Sequence, residues 1–448
     1  MQTTAHTSYW RETAGHQTRY VPLEKDLDTD VAIIGGGLTG LTAALHLKAA
    51  GKRVAVVEGN DIGTGTTGFT TAQVDVTTDQ PLRQLIERFG ERTTRILVQA
   101  SQDAANEIEA RCREAGDCDF VRTPSFEYTE ALHAPSWMEE QYQAAKQLGL
   151  AVSMTDVVPL PFRCTRAIRT ERQGRFHSQR YLQHLAAQVQ GEGSYVFEHT
   201  RAKPPEEGKP VSTNGGEIRA KDVFVATHSA FFNISQWDLR VAPYTSYVIG
   251  VRVEDDIPDA LFWDDAEPYH YIRRASSDDP HLLLIGGADH KTGQGHDERD
   301  CFHKLEEYAA ERFKVRSVEY RWSGEFFEPV DGLPFIGRLP SAKHLYVATG
   351  YSGTGMTFGV VAGNLVADLI LERPNPLAEA LSPGRIDLLA SAGSFLSENL
   401  NAAYRFVADR FAGEKINSLE EILPDTGRLV TYQGKQMAAY RDPAGNMH

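Results

Sequence analysis

The run Val31-Ala-Ile-Ile34, followed at once by Gly35-Gly-Gly37-Leu-Thr-Gly40, restricts this chain more than any other feature. A short apolar run entering Gly-x-Gly-x-x-Gly reads as a buried parallel strand turning into a helix. Leu38, Leu41 and Leu45 repeat at helical spacing up to Gly51, a C-cap candidate, and a second strand, Arg53-Val-Ala-Val-Val57, ends at Glu58. Strand, helix and strand within about thirty residues make one βαβ unit. In such a unit Gly35 permits the tight turn, Gly37 lets the backbone approach a pyrophosphate, and Gly40 lets helix and strand pack closely. The helix start at Leu38 and Thr39 offers free amides and partial positive charge to phosphates. Glu58, with Gly59 beside it, stands where a carboxylate meets a ribose diol. Gly63-Thr-Gly-Thr-Thr-Gly68 matches the same pattern, but no apolar strand precedes it. The first copy is the dinucleotide site.

With 448 residues the chain has room for several buried cores. Helices are predicted over 81–115, 135–148 and 177–190, and strands over 195–199 and 222–226. From 244 to 322 the pattern is mainly β, in Tyr247–Val253, Tyr269–Ile272 and Leu282–Ile285, with one helix near 302–313. Residues 344–372 return to strand then helix, so the nucleotide fold is built from separated segments. A balance of 46 basic against 61 acidic residues, net −15, argues against a nucleic-acid partner. No apolar stretch reaches the ~18–20 residues of a membrane helix, and the polar first thirty residues carry no signal sequence. Four cysteines without Cys-x-x-Cys spacing read as reduced thiols, and the expected location is the cytoplasm.

FAD is favoured over NAD by three features. Gly63–Val74 is rich in Gly and Thr, so that Thr66, Thr67, Thr71 and Ala72 are expected to wrap the cofactor. The strand ending at Ala226 and Thr227 is expected to pass beneath it, with Ala202 also against it. Leu345-Tyr-Val-Ala-Thr-Gly350-Tyr-Ser-Gly353-Thr-Gly355-Met-Thr-Phe-Gly359 is a second strand–glycine–helix unit. Its Gly350, Gly353, Thr354, Gly355, Met356 and Thr357 would bring a second helix N-terminus to the pyrimidine end of a flavin. Gly355, Gly359 and Gly363 share one helix face and are read as allowing close packing. No histidine near Gly63–Gln73 and no cysteine near Gly350–Gly359 suggests a covalent flavin link, so the FAD is expected to be non-covalent.

Together these motifs resemble the D-amino-acid-oxidase-like superfamily of FAD-dependent oxidoreductases over roughly residues 28–375. The likeness includes Gln173-Gly-Arg-Phe-His177, Trp322-Ser-Gly324 and Asp331-Gly-Leu-Pro-Phe-Ile-Gly337. Ser8-Tyr-Trp10 and Gly65-Thr-Thr-Gly-Phe-Thr-Thr-Ala-Gln73 are similar to a bacterial subgroup whose longer members add a C-terminal Rieske domain. The resemblance implies an α/β fold: a Rossmann-type FAD-binding domain of interrupted segments (28–80, 160–240, 325–375) and a mixed or antiparallel β substrate domain (81–159, 241–324). A helical extension or linker over 376–417 follows. Residues 418–448 are expected to form a partial Rieske-like β segment, with a hairpin around Gln433-Gly434. A Rieske cluster takes two Cys and two His. Cys301-Phe-His303 is the one Cys-x-His in the chain, so neither a metal site nor a [2Fe-2S] cluster is expected here.

The resemblance further implies oxidation of a C–N bond in an amine or amino acid by hydride transfer to flavin. Tyr351, Tyr271 and Arg273 are the candidate catalytic residues, although Tyr269, Tyr271 and Arg273 fit an ordinary sheet as well. Amino-acid-specific relatives place an arginine just before Asp-Gly-Leu-Pro, as a fork for the substrate carboxylate. Here the stretch is Gly324-Glu-Phe-Phe-Glu-Pro-Val330, where Glu325 or Glu328 would instead meet a cationic amine. The electron acceptor is left open between oxygen, a quinone and a redox protein. A flavin electron-transfer module serving a partner protein is the alternative function.

Overall fold

The computed structural model describes residues 7–231, 240–293, 297–385, 414–415, 426–432 and 435–441. Val31–Ile34, buried at every position, is the middle of a six-stranded sheet. Its neighbours are Val54–Val57 on one side and Asp222–Val225 on the other, both parallel. Tyr195–Phe197 and Leu345–Thr349 extend the parallel array, and Phe335–Arg338 closes one edge antiparallel. Strand order therefore reverses beside Val31–Ile34, and ligands of open parallel sheets bind at the carboxyl ends of strands at such a point.

Helix Leu38–Ala49 is buried on nearly all sides, as its Leu/Ala composition requires. Gly355–Ile370 lies against it. A Cβ on Gly359 would stand 3.1 Å from Leu38, and one on Gly363 would stand 2.7 Å from Thr42. Gly355, grouped with these two by spacing, has nothing within 4 Å of such a Cβ. It sits at the open helix start, beyond the packed face. The helix Ser352–Ile370 is long and apolar enough to cross a membrane, and its residues are mostly buried in this core.

The second large sheet has nine strands, mainly antiparallel. One face packs Ile249, Val251, Phe262, Ile272, Leu283 and Ile285 against Phe302, Leu305 and Tyr308 of helix Glu298–Arg312. The opposite face turns Val248, Leu284 and Trp322 toward the core of the first sheet.

Two segments fall differently from the division expected from chain order. Strand Arg166–Arg175 pairs with Val121–Thr129 and Gln73–Val74 in the nine-stranded sheet, not with the nucleotide sheet. Helix Leu82–Ala115, which breaks at Gly90, puts Leu97, Val98 and Ile108 into the core shared with Leu38–Ala49 and Gly355–Ile370. Although Val152–Thr155, close in sequence, also pairs with the first, the placement of both is set by partners distant in sequence, which local pattern does not encode.

The chain divides into two units, Met1–Ile386 and Asp387–His448. In the second, Thr426–Tyr432 and Lys435–Arg441 form the antiparallel hairpin predicted around Gln433-Gly434. The helical extension expected over 376–417 falls largely outside the described residues.

Gly363→Val would drive a branched side chain into Thr42. Equilibrium denaturation should show a loss of about 1–3 kcal/mol, the usual cost of overpacking a tight helix pair. An unchanged midpoint would mean that the two helices separate freely.

Candidate active site

At the carboxyl ends of the parallel strands lies a cavity of about 1200 Å³. Pockets for drug-sized ligands run roughly 300–1,000 Å³, so this one holds a dinucleotide with space beyond it. Gly35, Gly37, Leu38, Thr39, Glu58, Gly59, Thr66, Thr67 and Thr71 line one lobe, joined from later in the chain by Ala202, Ala226, Thr227, Gly353, Thr354, Gly355 and Met356. Four other candidates shape the lobe from outside its surface. Gly40 gives the turn room, since a Cβ there would lie 2.0 Å from the Gly35 carbonyl oxygen. Thr357 donates to the Asp75 carbonyl (2.6 Å). Gly350 (φ 79°) and Ala72 (φ 52°) hold left-handed turns behind it.

Helices Leu38–Ala49 and Gly355–Ile370 both begin without a cap from their own N-cap side chain; the Leu38 amide donates to the Thr67 hydroxyl (3.3 Å), and the positive ends of both helices face the cavity. The N-termini of two helices thus supply positive potential to one lobe. Glu58 is oriented by the amides of Gly36 (2.9 Å) and Asn60 (3.0 Å). Each of its oxygens keeps a lone pair free for a diol. The hydroxyls of Thr39 and Tyr351, 3.1 Å apart, tie the two glycine units together. Uncapped helix ends, a turn that only glycine can make and a poised carboxylate are the donors and acceptor that FAD requires. The residues fit that cofactor.

The loop Gly68–Ala72 between the lobes is held in an unusual way. The Ser8 hydroxyl donates to the Gly68 carbonyl (2.5 Å), and the Trp322 indole donates to that of Phe69 (2.9 Å). The Trp10 indole donates to Thr70 (2.5 Å), and Arg273 donates to Thr71 (2.7 Å) and Ala72 (2.8 Å). Each carbonyl of the loop is therefore bound by a side chain from behind, leaving its front to the cavity. The short helix Tyr9–Thr13, with Trp10 completely buried, is part of this mounting.

Arg273 is consequently a positioning residue. It is 1% exposed, lies under the Trp10 ring and does not line the cavity. Besides the loop it donates to the carbonyls of Arg274 (2.7 Å) and Ala275 (3.1 Å). Alternation does put it on the same sheet face as Tyr271, but the loop intervenes. Tyr271 and Tyr351 do line the cavity. The Tyr271 ring lies flat over Gly286, where a Cβ would come within 2.1 Å of it, and its hydroxyl meets Ser246 Oγ at 2.8 Å.

The second lobe is walled by the nine-stranded sheet. Register places Glu127 beside Trp263 and Trp263 beside Tyr271 on three adjacent strands. Asp75, Asp79, Asp289 and Glu328 also face this lobe. Burial, with Asp75 and Asp265 nearby, pushes the Glu127 carboxyl up to about 8. Burial and the neighbouring Asp75, Glu328 and Asp289 raise Asp79 to about 7, against a hydrogen bond from the Gly353 amide. Asp79 is reachable from the cavity, yet densely surrounded by protein, which is why desolvation dominates. Asp289 rises to about 6 through burial, opposed by a hydrogen bond from Ser246, and its Oδ1 has no partner. His228, pushed down to about 4 by burial, is neutral and meets the Glu325 carbonyl at 3.0 Å. Among the described residues, no group of His, Cys, Asp and Glu is arranged to hold a metal. The stretch Gly324–Glu328 brings no arginine to the wall.

Sequence reasoning passed over Glu127, Trp263, Asp289 and the Asp75–Asp79 turn. A signal for Glu127 existed: it alternates with Phe126 and Tyr128, both in the sheet core. Pattern alone reads such a position as solvent-facing, because it cannot show that the outer face is a cavity wall.

A model of the family described as FAD dependent oxidoreductase matches residues 30–369. A protein of Bacillus subtilis named as a Rieske 2Fe-2S iron–sulfur protein is 28% identical over 99% of this chain and 88% of its own length. Gamma-glutamylputrescine oxidoreductase of Escherichia coli is 27% identical over 82% of this chain and 89% of its own. Among solved structures, glycine oxidase from Geobacillus kaustophilus superposes with a TM-score of 0.67 at 21% identity, covering 81% of this chain and all of its own.

Two outcomes follow from this geometry. Arg273→Met leaves the Thr71 carbonyl without its donor and the Ala72 carbonyl with the Phe176 amide alone (3.3 Å), and each buried unsatisfied group costs ~1–3 kcal/mol. The variant should unfold earlier in denaturant and lose flavin during purification; normal stability with only a raised KM would instead make Arg273 a substrate contact. The raised carboxyls also set a pH dependence. Between about pH 6.5 and pH 8, above the range in which His177 and His228, lowered to about 3 and 4 by burial, act in the opposite sense, the folded apoprotein retains protons on Asp79 and Glu127 that the unfolded chain has released. Its stability should therefore fall as pH rises across that window, and Glu127→Gln should flatten the slope in pH-dependent melts.

Proposed function

The chain belongs to the FAD-dependent oxidoreductase family, and on that premise we propose that it oxidises the C–N bond of an amine or amino acid by hydride transfer to non-covalently held FAD. One observation carries the reading: the cofactor lobe opens directly onto a wall of Tyr271, Trp263 and carboxyls with raised proton affinity. FAD, when bound, supplies the two-electron acceptor. The chain's residues then have to position the substrate and manage one proton. An ammonium group cannot release hydride from its neighbouring carbon until it becomes a neutral amine. Asp79 and Asp289, whose carboxyls titrate near 7 and 6, are matched to take that proton near neutral pH. Loss of hydride from the carbon of the neutral amine would leave an iminium C=N bond, which water would hydrolyse to a carbonyl compound and an amine or ammonium ion. Tyr271 and Tyr351 would contact substrate or cofactor from opposite sides of the cavity.

For reoxidation, the likeness to a protein named for a Rieske cluster supports a redox protein as acceptor, ahead of a quinone or oxygen. We take the enzyme to work in the cytoplasm.

Anaerobic mixing of the holoenzyme with a panel of amines, N-methyl amino acids and amino acids should bleach the flavin, with rates on the order of 1–10³ s⁻¹ for a true substrate. Reduction by a partner protein together with no response to the whole panel would establish an electron-transfer module instead.

A further inference from the structure

We propose that the amine oxidised here is a dication or polycation, a flexible diamine or polyamine, held along the row of carboxylates that crosses the second lobe. The proposal rests on the C–N oxidation reading above and adds the substrate class.

The carboxylates stand at both ends of a path. Asp79 accepts from the Gly353 amide, and a Cβ on Gly353 would lie 3.2 Å from the Tyr269 hydroxyl, so this carboxylate belongs to the cofactor end. Glu127 is two strands away from Tyr271, with Trp263 between them. Adjacent strands lie ~4.8 Å apart, so Glu127 is about 10 Å across the sheet from the Tyr271 position. Asp75 lines the same lobe and acts electrostatically on both Asp79 and Glu127. A chain of several methylenes with a nitrogen at each end matches this spacing, and Trp263 and Tyr271 offer faces for the methylenes and for cation–π contact.

Among the described residues, no lysine or arginine pairs with Asp75, Asp79 or Glu127, and Asp289 feels only His270 nearby. The guanidinium groups lining the cavity are Arg83 and Arg201. Arg83 is more than half exposed and paired with Glu87 at 2.6 Å. Arg201 lies at the other lobe, its guanidinium carbon 3.8 Å from where a Cβ on Gly59 would stand. Glu127 makes no side-chain hydrogen bond or ion pair with any described residue, and Asp289 Oδ1 is buried without a donor. Buried carboxylates are normally paired. For Glu127 and for Oδ1 of Asp289 the pairing group is the ligand, while Asp75 is met by Thr77 and Asp79 by the Gly353 amide. The net charge of −15 favours the approach of a cation from solution as well. The same wall disfavours a simple α-amino acid, whose carboxylate would meet like charge and no arginine fork.

The test compares 1,6-diaminohexane and spermidine with n-hexylamine and glycine as substrates of the unaltered holoenzyme, reading flavin reduction under anaerobic conditions. The diamine should exceed the equal-length monoamine in kcat/KM by about tenfold or more, the scale of one charge-assisted contact. In Glu127→Gln that preference should collapse toward unity, and Glu127→Asp should restore part of it. The central comparison uses the wild-type enzyme, so a poorly folding variant does not decide the outcome. Monoamine or glycine turned over as well as the diamine would overturn the dication assignment while C–N oxidation stands. Failure of every amine and amino acid to reduce the flavin would bring down the proposed function, and this proposal with it.

Discussion

The backbone carbonyls of Gly68–Ala72 must all find donors if a loop is to run between two sheets without water. The chain meets this demand with Ser8, Trp322, Trp10 and Arg273, drawn from its first residues and from two strands of the nine-stranded sheet. Much else follows. Tyr9 and Trp10 of the helix Tyr9–Thr13 are buried against a loop some sixty residues on, and Ser8 and Trp10 serve that loop as donors rather than as mere packing. Arg273 can be buried without a carboxylate hydrogen-bonded to it, because five carbonyl groups take up its N–H bonds. The loop's front is left to face the cavity, and FAD meets a surface already formed.

That cavity joins two lobes of opposite electrostatic character. One is bounded by helix N-termini and suits a pyrophosphate; the other is bounded by carboxylates and suits cations. Residues in left-handed conformation gather along the boundary: Ala72, His228, Ala288 and Ser352 all have positive φ. Such backbone costs on the order of 1–3 kcal/mol per residue and persists only where the surroundings fix it. The mounting behind Ala72 supplies that constraint at one of the four.

The nucleotide half was legible in the sequence because its signals are local. Val31–Ile34 with its glycines, Glu58, and Leu345–Thr349 leading into Gly355–Ile370 each carry strand, turn and helix within a few residues. The substrate half was legible as β structure but not as a site. Glu127, Trp263 and Tyr271 become neighbours only through pairing of strands from residues 121, 261 and 271 onward, one of those pairings parallel. Arg273 was read as a catalytic candidate on correct alternation; what alternation cannot show is that Thr71 and Ala72 lie between it and the cavity. The segment Arg166–Arg175, expected within the FAD-binding domain, lies in the nine-stranded sheet for the same reason, since two of its three partner strands lie some forty to a hundred residues away.

The most direct measurement is a pair of crystal structures, one of the apoprotein and one with FAD. The account predicts that Gly68–Ala72 superposes within about 1 Å between them, its carbonyls still held by Ser8, Trp10, Trp322 and Arg273, with the flavin against the loop's front face. A loop that is rearranged in the apoprotein, or a flavin seated away from it, would contradict the account.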